Sequence, residues 1–292
     1  MKSNPNQFGI STALLTPFDL DGNLNLPLLF DHASDMVRNG SNSVTLFGTT
    51  GEGASVGFDE RSEAISGMID SGIATDEIIL GLCGSAIGDV TSQVQQGIEF
   101  GLTTFLLPPP FYFKEVDDAG LFEWFSRLFD CVDKRAQFIL YHIPQLTQMP
   151  LSIDLVTGLR ETFPDRVLAI KDSAGNWDDT RHILEGGGIP VLVGDERLLH
   201  KAVALGGKGA ISGMANLYPQ RMRNLFDTQV EDKALSAEVD MMISIPVISA
   251  LKQAMVATTG IESWANVRPP LQRLSGQERA AITAMFAQEQ SV

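Results

Sequence analysis

Residues 167–173 read "VLAIKDS", an apolar run that ends in Lys171 and then Asp172. A short run of this kind, made for burial on both faces, predicts a strand of a parallel sheet. A lysine at its end either snorkels to water or is a reagent. Similar runs occur along the chain: "GISTALLTPF" (9–18), "SVTLFG" (43–48), "IILGLCG" (78–84), "TFLLPPP" (104–110), "FILYHIP" (138–144), "IPVLVGDE" (189–196) and "GAISGMAN" (209–216). With "VLAIKDS" they make eight. Between them lie amphipathic segments such as "LFEWFSRLFDCV" (121–132) and "SIDLVTGLRETF" (152–163), the second opened by Ser152 as N-cap. Strand and helix alternating at a period of about 25–30 residues implies parallel pairing through right-handed crossovers. Eight such units predict an α/β fold, a closed (β/α)8 TIM barrel, with a doubly wound open sheet as the alternative.

Past about residue 220 the strand pattern stops. Helical pattern continues through "MMISIPVISALKQAMVATTG" (241–260) and "GQERAAITAMFAQEQ" (276–290). The expected division is a barrel catalytic domain over 1–224 and a C-terminal helical extension over 225–292, packed on the barrel without a linker.

Composition narrows the partners. A formal net charge of −15 argues against nucleic acid and anionic membranes, which such a surface would repel. The first eleven residues lack the basic-then-apolar profile of a signal peptide, and no apolar run reaches the roughly 18 residues of a membrane helix. A cytoplasmic setting is expected. Cys83 and Cys131 form no metal-binding or disulfide pattern and are expected to be core thiols. His32, His182 and His200 lie on expected helices without ligand spacing and are expected at the surface, and His142 is expected to face the helices. "DLDGN" (19–23) has Phe30 where a calcium loop needs its glutamate, so it reads as an Asp-Gly turn.

In a parallel barrel, reactive groups gather at the C-terminal strand ends. Those ends carry Thr16, "GTTGE" (48–52), Tyr141, Lys171, "GDE" (194–196) and Ser212. Enclosure by apolar walls disfavours an ammonium relative to the free amine, and the free amine attacks a carbonyl to form a Schiff base. A phenol on the neighbouring strand end can shuttle the protons of that sequence. The "GTTGE" turn offers two hydroxyls, Thr49 and Thr50, with backbone N–H groups that can meet a carboxylate. The plainer alternatives are a lysine paired with Asp172 or reaching solvent, a packing tyrosine and a structural turn.

Taken together, "GTTGE", "LYHIP" (140–144) and "AIKDSAG" (169–175) resemble, over nearly the whole chain, the pyruvate-dependent aldolase and lyase superfamily that includes dihydrodipicolinate synthase and N-acetylneuraminate lyase. The resemblance implies a (β/α)8 barrel with a C-terminal helical domain, a homo-oligomer (tetramer or dimer), no metal and no cofactor, and a Schiff base with pyruvate or a 2-keto acid. It carries the imine lysine to Lys171, the acid/base tyrosine to Tyr141, and the carboxylate-binding, proton-relaying turn to Gly48, Thr49 and Thr50. Gly194, Asp195, Glu196, Ser173 and Ser212 match positions that bind substrate hydroxyls.

Two positions depart from the synthase branch. That branch resembles "YNVPxRT", with an arginine five residues past the tyrosine to grip a second carboxylate; here the position is Leu146 in "YHIPQLT". Its "PYYN"-like stretch, which lends a tyrosine across a subunit interface, is "PPPFYFK" (108–114), with Phe113 at the matching place beside Tyr112. The expectation is a class I aldolase or lyase acting on pyruvate or a 2-keto-3-deoxy sugar acid, whose polar tail Asp195 and Glu196 orient. The alternatives are a 2-keto acid dehydratase or hydratase, dihydrodipicolinate synthase itself, and a catalytically silent keto-acid binding protein.

Overall fold

The computed structural model describes residues 8–186 and 188–287. Among these residues, eight strands pair in parallel in chain order: β1 (Gly9–Ala13), β2 (Ser43–Leu46), β3 (Ile78–Gly81), β4 (Thr104–Leu107), β5 (Gln137–His142), β6 (Val167–Asp172), β7 (Val191–Val193) and β8 (Gly209–Ser212). Pairing of β1 with β8 closes the barrel and rules out the open sheet. The closure needs glycine. Gly9 (φ +67°) and Gly209 (φ +145°) face each other, and a Cβ on Gly209 would lie 1.8 Å from the Gly9 carbonyl oxygen.

The crossovers are α1 (Leu26–Arg38), α2 (Phe58–Asp70), α3 (Ile87–Glu99), α4 (Asp118–Cys131), α5 (Pro144–Thr147), α6 (Ile153–Thr162), α7 (Trp177–Gly186) and α8 (Leu199–Ala204). After β8 come α9 (Pro219–Thr228), α10 (Lys233–Ile243), α11 (Val247–Thr259) and α12 (Gly276–Ala287). The expected N-cap is present, with Ser152 Oγ accepting from Leu155 N at 3.0 Å. No helix among the described residues is long and apolar enough to cross a membrane.

Several strands are shorter than their apolar runs. β1 stops at Ala13, after which Leu15 N donates to Asn216 Oδ1 and Thr16 Oγ1 to the Gly51 carbonyl. Apolar character persists there because the strand-end loops are buried too, so hydrophobicity overstates strand length.

Alternation along β5 sends Phe138 and Leu140 to the helices and Ile139 and Tyr141 into the barrel. β6 slips register opposite Phe138 and Ile139, so Val167 and Ile170 join the helix-facing core while Ala169 faces inward. Lys171 therefore points into the barrel mouth and Asp172 away from it, toward Thr180 of α7. His142, paired in register with Asp172, is buried on the helix side as expected.

Two expectations are corrected. His32 is buried, its ring edge-on to Trp264 and its Nε2 2.9 Å from Asn216 Oδ1, because the turn after β8 and the segment after α11 meet this face of α1. Cys131 is exposed at the last position of α4, and only Cys83 is partly buried. The Asp19 turn forms as read, its carboxylate accepting from Asp21 N and Asn23 N.

Candidate active site

Tyr141 and Lys171 are register partners on adjacent strands, so their side chains leave the sheet at one level. Lys171 Nζ lies 4.3 Å from the centroid of the Tyr141 ring, and each residue is only 5% exposed. Among the described residues, no hydrogen bond or ion pair engages this ammonium. Pairing with Asp172 is excluded, because that carboxylate accepts from Thr180 Oγ1 (2.5 Å) and Ala174 N (3.0 Å) on the opposite face. Gly194 makes the room: a Cβ there would lie 1.9 Å from Ser173 Oγ and 3.1 Å from Lys171 Cε.

The "GTTGE" turn hangs between two left-handed residues that are not glycine, Phe47 (φ 58°) and Glu52 (φ 53°). Each such residue costs about 1–2 kcal/mol, and side-chain anchors hold both. The Arg61 guanidinium stacks on the Phe47 ring at 5.0 Å while donating to the Gly81 carbonyl at 2.6 Å. Glu52 Oε1 takes the Lys252 ammonium of α11, and Oε2 accepts from Arg268 N at 3.0 Å. Burial outweighs the attraction of Glu52 and brings the Lys252 ammonium down to about 8. Thr16 Oγ1 donates to the Gly51 carbonyl at 2.6 Å. The clamped turn presents Thr49 and Thr50.

At the end of β7, Asp195 accepts from Arg197 Nε (2.9 Å), Nη2 (2.5 Å) and N (3.0 Å), and Arg197 Nη1 reaches Asp240 of α10 at 2.6 Å. The two carboxylates push the Arg197 guanidinium further up. Glu196 Oε1 accepts from Ser212 Oγ (2.7 Å) and Met214 N (3.0 Å), and burial pushes the Glu196 carboxyl up.

These strand ends enclose one cavity of about 450 Å³, lined by Thr49, Thr50, Tyr141, Lys171, Ser173, Gly194, Asp195 and Glu196. Two expected residues lie off it. Gly48 lines an adjoining apolar cavity of about 340 Å³ that shares Thr49, Tyr141, Ile143, Leu146 and Ile248 with the first. Ser212 is wholly buried and spends its hydroxyl on Glu196 and on accepting from Ala215 N, so it supports the site from beneath and does not face a ligand.

Sequence reading missed the wall opposite the barrel, where Val239, Met242 and Ile243 of α10, Ile245, and Val247 and Leu251 of α11 close the cavity. Its signal was "MMISIPVI" (241–248), too apolar for a surface helix junction. Arg197 and Lys252, which anchor Asp195 and Glu52, were missed as well. No group of three or more His, Cys, Asp or Glu side chains that could hold a metal ion occurs among the described residues.

The sequence model of the Dihydrodipicolinate synthetase family matches residues 6–289. The chain belongs to that family. Within it, the chain is 32% identical over 287 residues to a protein named "Uncharacterized DapA-like lyase" from Chloroflexus aurantiacus, covering 95% of each chain. It is 28% identical over 294 residues, covering 96% of each, to the 4-hydroxy-tetrahydrodipicolinate synthase of Thioalkalivibrio sulfidiphilus. The crystal structure of dihydrodipicolinate synthase from Agrobacterium tumefaciens superposes with a TM-score of 0.93 at 41% identity, covering 96% of this chain and 98% of that one. Family membership places the chain among lyases and aldolases.

Proposed function

We propose that the chain is a class I aldolase or lyase that forms an imine between Lys171 and pyruvate or a longer 2-keto acid. The observation that carries this reading is a buried lysine without an ionic partner among the described residues, lying over the ring of a buried tyrosine at the mouth of a barrel. The Lys171 amine adds to the keto carbon and the carbinolamine loses water. The imine then accepts the electron pair left when a C3 proton departs or the C3–C4 bond breaks, so the chemistry asks for no metal ion or cofactor. In the synthetic direction the C3 enamine adds to an aldehyde carbon, the aldehyde oxygen takes a proton, and water releases the product from Lys171. The Tyr141 hydroxyl moves the protons, and the Thr49–Thr50 turn holds the keto-acid carboxylate through its N–H groups and hydroxyls.

The relatives named 4-hydroxy-tetrahydrodipicolinate synthase suggest that activity, but Leu146 occupies the place of the arginine that would hold a second carboxylate. The sugar-acid tail rested on Asp195 and Glu196, whose oxygens are largely occupied by Arg197, Ser212 and Met214. A homo-oligomer, tetramer or dimer, in the cytoplasm accompanies this reading. The exposed pair Tyr112 and Phe113, edge-on at 5.3 Å, supports a subunit contact beside the site.

The test is borohydride reduction in the presence of pyruvate, followed by peptide mass mapping. A reduced adduct on Lys171, absent from Lys171→Arg, is expected. A chain left unmodified would leave a keto-acid binding protein as the better description.

A further inference from the structure

We propose that the part of the substrate beyond the keto acid is apolar: the partner aldehyde carries an aliphatic or aryl group and not a chain of hydroxyls. This rests on the imine reading and names the substrate class of the same site.

A polyhydroxylated tail needs free hydrogen-bonding groups along its length, and a site built for hydroxyls supplies them. Asp195 is held by three donors of Arg197, whose remaining arm is held by Asp240. Glu196 Oε1 has two donors of its own, Ser212 Oγ and Met214 N, and burial pushes its carboxyl up. Gln145 Nε2 donates to the Ser173 carbonyl at 2.7 Å.

Apart from the polar groups at the strand ends, what lines the open space is hydrocarbon. Val239, Met242, Ile245 and Leu251 form the wall contributed by the C-terminal helices, and at the rim Leu146, Ile243 and Val247 stand 59%, 52% and 41% exposed. Three large aliphatic side chains open to water at the rim of the cavity gain if a ligand covers them. A hydroxylated tail laid on the same surface would lose its water without replacement partners. Leu146, five residues past Tyr141, is the most exposed of the three.

Pyruvate and R–CHO combine to a 4-hydroxy-2-keto acid with no atom lost, so R can be varied freely. With pyruvate held constant, the aldol rate is measured for hexanal and benzaldehyde against glyceraldehyde and erythrose, alongside borohydride trapping of pyruvate on the same preparation. The expected kcat/KM for the apolar aldehydes exceeds that for glyceraldehyde by about 100-fold, the discrimination a hydrophobic pocket can deliver. Ile243→Asp and Val247→Asp, both at exposed positions where folding tolerates a carboxylate, are expected to cut that ratio by about 10-fold or more. Trapped pyruvate together with an equal or greater rate for glyceraldehyde overturns the apolar acceptor and leaves the imine standing, as does a ratio that neither variant moves. Failure to trap pyruvate at all overturns both.

Discussion

Lys171 and Tyr141 stand together because β5 and β6 are neighbours in register, but their losses should differ. Tyr141→Phe keeps the ring that the lysine lies over and removes only the hydroxyl proposed to carry the protons. We expect kcat/KM to fall by about 10²–10⁴-fold while pyruvate is still trapped on Lys171. A loss under 10-fold would assign the proton transfers to the Thr49–Thr50 turn or to water. The candidate pair was legible in the sequence because strand ends and alternation are local properties, and both residues sit at the ends of apolar runs. Side-chain engagement was not legible. Asp195 reads as a free acceptor in "GDE", yet Arg197, two residues on and visible in the same stretch, folds back onto it and reaches Asp240. Ser212 likewise reads as a strand-end hydroxyl, but the strand stops at that residue and the chain turns its hydroxyl down to Glu196. His32 carried no signal of burial, since its partners Asn216 and Trp264 lie far along the chain.

At the scale of elements, the Gly48–Glu52 turn after β2 is fastened to α11. Lys252 and Glu52 are both fully buried, 200 residues apart in sequence, and the ammonium also donates to the Asn266 carbonyl. Asn266 Nδ2 in turn donates to the Phe18 carbonyl at 2.7 Å, so one small network joins the turn, the loop after β1 and the segment that follows α11. Removing one member of a buried pair leaves a desolvated charge behind. Lys252→Met is therefore expected to lose about 3–5 kcal/mol of stability, and Lys252→Met/Glu52→Gln to recover part of it, read from urea midpoints at constant m-value. A single variant within about 1 kcal/mol of the parent would show that water reaches the pair. Helix α6 shows the opposite case, an element whose start was readable because its Ser152 cap acts on a residue three positions away.

Across the whole molecule, the C-terminal helices share a core with the barrel. Ile10, Leu15, Val193 and Ala210 of the barrel pack in one cluster with Leu235, Val239, Trp264, Ile282 and Phe286. A chain ended at residue 224 would uncover that face of the barrel, at about 1.5–3 kcal/mol for each large side chain exposed, and would lose the wall opposite Lys171. We expect such a chain to show no cooperative thermal transition, while the full chain melts in one. A truncated chain that melts cooperatively would instead establish 1–224 as an independent domain.

The alternation of eight apolar runs with amphipathic helices, the strand ends at which Lys171 and Tyr141 fall, and the motifs that tie the chain to its family are all matters of order and period along one dimension, and the sequence alone carries them. Which side chains are left free at the site is decided only by folding. The occupied carboxylate of Asp195, the buried Lys252–Glu52 pair and the aliphatic wall from α10 and α11 all depend on which distant segments meet, and burial strengthens or silences a polar group according to that meeting.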